Sequence, residues 1–201
     1  VDLVVAGFQV AALVVVISGV SKVAAPTAFR ITLNSLGLPA GSAVARVCGI
    51  AEVAVGGAAL WFGGRVGSLV VAGLYAIFCT VVVAARRSGV ASCGCFGSVE
   101  APPSMLHVIV NALSGGVALL SSVIPPDRLV DVLGAQPLAG LPYLALLASA
   151  ATLVVVIDTT GAQVVAEVQA VRSLRPVFVE NNVRGSGSPA RRLPRSRTGR
   201  V

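Results

Sequence analysis

The sequence predicts an all-α polytopic membrane protein, a four-helix transmembrane bundle followed by a fifth helix and a disordered basic tail. Three observations lead there. Hydrophobic residues make up 56% and charged residues 11% of the 201 positions, and the mean hydropathy is +0.92, which fits no soluble globular class. Charge-free runs occupy residues 3–21, 66–85, 101–126 and 132–157, and residues 47–64 carry a single charge, Glu52. About 20 helical residues cross a ~30 Å hydrocarbon layer, so five segments can span. Finally, eight of the 14 arginines lie between Arg172 and the C-terminus, with Glu180 as the only acid there. The remainder is charge-balanced, so the net charge of +7 belongs to the tail.

The first helix is expected from about Leu3 to Ala24, closed by Pro26. No basic n-region or cleavage site marks it, so it reads as a retained span rather than a signal peptide. Phe29, Leu33 and Leu36 then recur at three- and four-residue steps, which suits a short amphipathic helix on the membrane surface before Gly37 and Pro39. A second spanning helix starts near Ala43 and sets Cys48, Glu52, Gly56 and Ala59 on one small or polar stripe. The short turn at Gly63-Gly64 makes it a hairpin with a third helix that ends at Arg86-Arg87. Pro102-Pro103-Ser104 opens the fourth, whose face carries Ser104, His107, Asn111 and Gly115. By these signals residues 1–124 form the four-helix core and 125–158 carry the fifth helix. An amphipathic segment covers 159–183, and 184–201 lack the apolar content to fold. The Arg-rich tail suits anionic lipid headgroups; no motif or aromatic pattern points to nucleic acid.

Concentrated chemistry occurs once, in Ser92-Cys93-Gly94-Cys95-Phe96-Gly97. A disulfide needs Cα atoms roughly 4.4–6.8 Å apart, so two thiols one residue apart close on each other only through a tight turn, for which Gly94 and Gly97 supply the freedom. Cys93 and Cys95 therefore read as a redox-active pair, against the plainer reading of two loop cysteines. Because successive helices alternate direction, Lys22, Cys48, Glu52, Cys79, His107 and Asn111 all fall near the same membrane face as this loop. Lys22 and Glu52 are expected to form an interhelical ion pair, the alternative being an interfacial lysine and a neutral carboxyl group. Cys48 and Cys79 are either small buried hydrophobes or a second thiol pair acting as a relay. His107 is open to three roles: packing through hydrogen bonds, proton donor to a leaving thiolate, or metal ligand. Asn111, one turn further, is placed to hold it or a carbonyl-bearing ligand.

Gly19-Val20-Ser21-Lys22, the Ala28-Phe29 to Leu36-Gly37-Leu38 segment, Glu52, Cys93-Gly94-Cys95-Phe96-Gly97 and Asn111 together resemble the MauE family of methylamine-utilisation proteins over roughly residues 5–120. More distantly the pattern is similar to DoxX-like proteins and to four-helix disulfide-exchange proteins of the vitamin K epoxide reductase type. The Cys-Gly-Cys-Phe-Gly string is the specific part. The resemblance implies a multi-pass protein of the cell membrane that supports maturation of a disulfide-rich exported protein, as the small subunit of methylamine dehydrogenase is. It also implies an extracytoplasmic thioredoxin-like partner, and a quinone is a candidate next acceptor that no residue here identifies.

The reading carried forward is thiol–disulfide exchange at Cys93 and Cys95, with oxidation of the partner favoured because a ring closed over one residue is strained. Two rivals stand beside it. One is a metal-handling or transport protein using Cys93, Cys95 and His107 as soft ligands, and the other a non-catalytic assembly factor at the membrane. Orientation sets two rules against each other. Lys22, Arg30, Arg46, Arg86 and Arg87 flank the cysteine face, which the positive-inside rule makes cytoplasmic, whereas disulfide chemistry places it outside. The redox argument is preferred, since a reducing cytosol would hold the pair as thiols.

Overall fold

The computed structural model describes residues 3–90, 94–96, 102–135 and 137–186. Those residues are helical or loop, and no strand occurs among them. Seven helices follow in order: α1 Leu3–Ala24, α2 Thr27–Ser35, α3 Ser42–Phe62, α4 Gly64–Arg87, α5 Met105–Leu120, α6 Leu129–Ala135 and α7 Pro137–Ser186. Four segments are long and apolar enough to cross a membrane: α1, α3, α4 and Ala139–Gly161 within α7. The protein is thus an all-α, multi-pass membrane protein. The apolar run 101–126, expected to span in full, is helical only over the 16 residues of α5. Pro102 and Pro103 cannot continue a helix ladder, and at the far end a turn begins at Ser121. The chain divides into two compact units, Val1–Ala166 and Glu167–Val201. In the second the described residues are helical to Ser186, and most of the Arg-rich tail assigned to 184–201 lies outside the described residues.

Helices α1, α3, α4 and α5 form the bundle, with α1 packed on the other three and α4 against both α3 and α5. At its centre are Phe8, Ala11, Ala12 and Val15 of α1, Ala59 of α3, Val71 and Tyr75 of α4 and Ala118 of α5. In lipid there is little hydrophobic gain from joining helices, so close backbone approach through small residues does the work. The α1–α3 contact shows this. A Cβ on Gly19 would lie 2.5 Å from the Gly49 carbonyl oxygen, and one on Gly56 would lie 2.8 Å from that of Ala12. Seven residues separate the partners on each antiparallel helix, two turns of α-helix, so the same stripes meet twice. Tyr75 adds a cross-link, its hydroxyl donating to the Ala11 carbonyl at 2.8 Å.

The helix ends follow local chemistry. Gly63 and Gly64 both take positive φ (59° and 75°), which turns α3 directly into α4, and the Gly64 N–H donates to Pro126 O at 3.0 Å. Ser104 caps α5: the His107 N–H donates to its hydroxyl oxygen while the Ser104 N–H donates to His107 Nδ1 at 3.3 Å. Both groups are among the donors that a helix start leaves without intrahelical partners. α7 packs back on the bundle through buried Leu147 and Ala151, with the Tyr143 hydroxyl donating to Gln9 Oε1.

Gly19→Ala should therefore wedge α1 from α3 and lower stability by about 1–3 kcal/mol, the usual cost of overpacking. Gly57→Ala, one residue from Gly56 but with nothing within 4 Å of the added Cβ, should leave stability unchanged or slightly raised. Thermal unfolding of the two variants in detergent reads the difference, and equal midpoints would refute the close-packing account.

Candidate functional site

One end of the bundle gathers most of the polar side chains singled out from the sequence. Lys22 closes α1 there, Glu52 lies three turns into α3, and the loop after α4 brings Cys95 down between them and α2. Lys22 Nζ donates to Glu52 Oε2 at 2.7 Å and to Ser18 Oγ at 2.6 Å. Both charged residues are buried, at 1% and 5% exposure. The ammonium also lies 5.1 Å from the Phe29 ring centre and 5.2 Å from that of Phe78, so two aromatic faces complete its surroundings.

Ser18 joins this pair to the cysteine loop. Its hydroxyl accepts from Lys22 and has one proton for two acceptors, Glu52 Oε2 at 3.1 Å and the backbone carbonyl of Cys95 at 3.0 Å. Next to it, Gly94 is buried with φ +63°, and a Cβ there would lie 2.5 Å from Phe29 N. Only glycine meets both conditions, a left-handed backbone and direct contact with the α2 backbone. The loop is thus seated at two adjacent residues, on α2 through Gly94 and on the ion pair through Cys95. Cys93 and Gly97 lie outside the described residues.

Two cavities meet at Cys95. The smaller, about 20 Å³, is lined by Ser18, Lys22, Tyr75, Cys95, Asn111 and Asp158 among others. That is room for one water molecule with several polar partners. The larger, about 210 Å³, lies between α3 and α4 and is walled by Lys22, Phe29, Cys48, Glu52, Leu74, Ile77, Phe78, Val81 and Cys95. Its walls are mainly apolar, with the ion pair and two sulfurs as the polar features.

The remaining expected residues divide. Cys48 faces the larger cavity. Cys79 faces the other side of α4, its Sγ 3.7 Å from the Val108 carbonyl, and lines grooves that hold neither Cys48 nor Cys95. His107 is buried in the cap of α5, and Asn111 Nδ2 donates to the His107 carbonyl at 2.7 Å while its side chain borders the small cavity. Among the described residues no three His, Cys, Asp or Glu side chains converge as a metal site would need.

Sequence reasoning passed over four residues of this site. Ser18 precedes Lys22 by four positions and so shares its helix face, a legible signal. Phe29 was assigned only to an amphipathic surface, although a lysine one short loop away is a natural partner. Phe78 carried no signal. Asp158 directly follows the charge-free run 132–157 and reads in sequence as its closing charge; the structure buries it, at 3% exposure, on the border of the small cavity.

Fold and site together define a multi-pass helical membrane protein in which a Cys-containing loop is seated on an intramembrane ion pair. The family model described as methylamine utilisation protein MauE matches residues 3–125, and the chain belongs to the MauE family. No curated protein and no solved structure matched the chain. The family match ends before α6 and α7, so Asp158 reaches the site from outside the matched region.

Removing one member of a buried ion pair strands the other charge, at a cost of roughly 3–5 kcal/mol, whereas replacing both with apolar residues costs far less. Lys22→Met or Glu52→Leu alone should thus lower thermal stability strongly, and the double variant should recover more than half of the loss. A double variant as unstable as the sum of the singles would show that the two residues act independently.

Proposed function

We propose that this MauE-family protein carries out thiol–disulfide exchange at Cys93 and Cys95 with a thioredoxin-like protein on the outer face of the cell membrane. The exchange supports maturation of a disulfide-containing exported protein. In the family's setting this is the small subunit of methylamine dehydrogenase. The observation that carries the reading is the seating of the Gly94-Cys95 turn: a glycine packed on α2 and a cysteine carbonyl held by Ser18 above the Lys22–Glu52 pair. A loop with no chemistry has no need of a fixed backbone at its cysteine.

The partner's thiolate attacks the Cys93 sulfur of a Cys93–Cys95 disulfide, a bond forms between the partner and Cys93, and Cys95 leaves as the thiolate. The partner's second thiol then closes its own disulfide and releases Cys93, so two electrons pass from the partner to the cysteine pair. Cys95, half-buried at the meeting of the two cavities, is suited to the inner role. Lys22, Glu52 and Asn111 position the loop and its surroundings, and His107 serves through the cap of α5.

By the reverse of this step, Cys95→Ser should leave Cys93 able to attack the disulfide of an oxidised partner but nothing on the loop to resolve the product. A covalent complex with a thioredoxin-like protein should accumulate on non-reducing gels and disappear with reductant. Cys93→Ser should trap none. Full function of both variants in cells, with no adduct, would favour the assembly-factor reading instead.

A further inference from the structure

We propose that Cys48 is the internal redox partner of Cys95, so that a disulfide is exchanged between the loop and a thiol inside the bundle; this rests on the exchange reading above. The sequence leaves Cys48 and Cys79, which lie in the same half of the bilayer, as either buried hydrophobes or a second thiol pair. Their helix faces separate them: Cys79 points toward the Val108 carbonyl on the α5 side of α4, while Cys48 opens into the cavity between α3 and α4. Among the described residues, the sulfur-bearing one that shares this cavity with Cys48 is Cys95.

The surroundings suit exchange between these two. The cavity, about 210 Å³, has Phe29 and Phe78 on its walls and Lys22 and Glu52 on its border. Cys95 is carried by a loop whose carbonyl is held by Ser18, which places the residue at the border of this cavity. Closing the bond requires the two Cα atoms to lie roughly 4.4–6.8 Å apart across this shared cavity.

The step balances without a further reagent. Cys48, as the thiolate, attacks the Cys95 sulfur of the Cys93–Cys95 disulfide. A Cys48–Cys95 bond forms, the Cys93–Cys95 bond breaks, and Cys93 leaves as a thiolate that takes up the proton Cys48 gave up. Disulfide number is unchanged. Run in reverse, a disulfide held at Cys48 and Cys95 is delivered to Cys93, where the partner reaches it.

The test is disulfide mapping on the full-length chain in native membranes. Cys93→Ser is oxidised with diamide, remaining thiols are alkylated under acid quench, and peptides are identified by mass spectrometry. A Cys48–Cys95 link should form, and Cys48→Ser in the same background should abolish it without creating a Cys79–Cys95 link. In case Cys93→Ser does not accumulate, wild-type protein given limiting reductant should show the Cys48–Cys95 link beside the Cys93–Cys95 one. Absence of the link in folded protein whose thiols all alkylate, or a link from Cys95 to Cys79, overturns the proposal. The covalent adduct of Cys95→Ser does not involve Cys48. An adduct without the link therefore sinks the relay alone, and a link without any adduct sinks the partner reading alone.

Discussion

The charge pair between Lys22 and Glu52 is the constraint from which the rest of this end of the protein follows. A carboxylate placed within a spanning helix is costly in hydrocarbon, and a lysine at full burial equally so. Each offsets the other only when α1 and α3 lie close enough for contact at 2.7 Å. Glycines make that possible: Gly19 and Gly49 let the two backbones touch one turn from the charges. The charges in turn require Ser18, whose hydroxyl accepts a hydrogen bond from the ammonium and offers its own proton to the carboxylate or the loop carbonyl. Helix packing, ion pairing and loop position are therefore one arrangement rather than three.

Much of this was legible in the sequence, for reasons that differ by element. Proline and glycine punctuation at Pro26, Gly63-Gly64 and Pro102-Pro103-Ser104 set the helix boundaries, because those residues act through the local backbone. The nearness of Lys22 to Glu52 followed from alternating helix direction and depth. What depth cannot give is rotation about the helix axis. Cys48 and Cys79 share a level in the bundle yet face different grooves, and only the packing of α3 against α4 and of α4 against α5 decides that. Asp158 was misread for a related reason. A charge ending an apolar run marks a membrane boundary only if it faces outward, and α7 turns it inward.

The two cavities give the site an asymmetry that neither the motif nor the ion pair contains alone. On one side of Cys95 lies a water-sized polar space bordered by Asn111, Tyr75 and Asp158; on the other, a roomier apolar space bordered by aromatic rings and Cys48. The loop residue at their junction borders hydroxyl, amide and carboxyl groups one way and a sulfur the other, with Lys22 on both sides.

α5 has a consequence for the surrounding lipid. Sixteen residues at about 1.5 Å each make a rod of roughly 24 Å, short of the ~30 Å hydrocarbon core through which its neighbours pass. Acyl chains alongside α5 must shorten or headgroups must dip to meet its ends, a hydrophobic mismatch confined to one flank of the molecule. That flank adjoins the end of α5 where the cysteine loop enters. The mismatch thus falls on the flank beside α5, and membranes of greater thickness would deepen it.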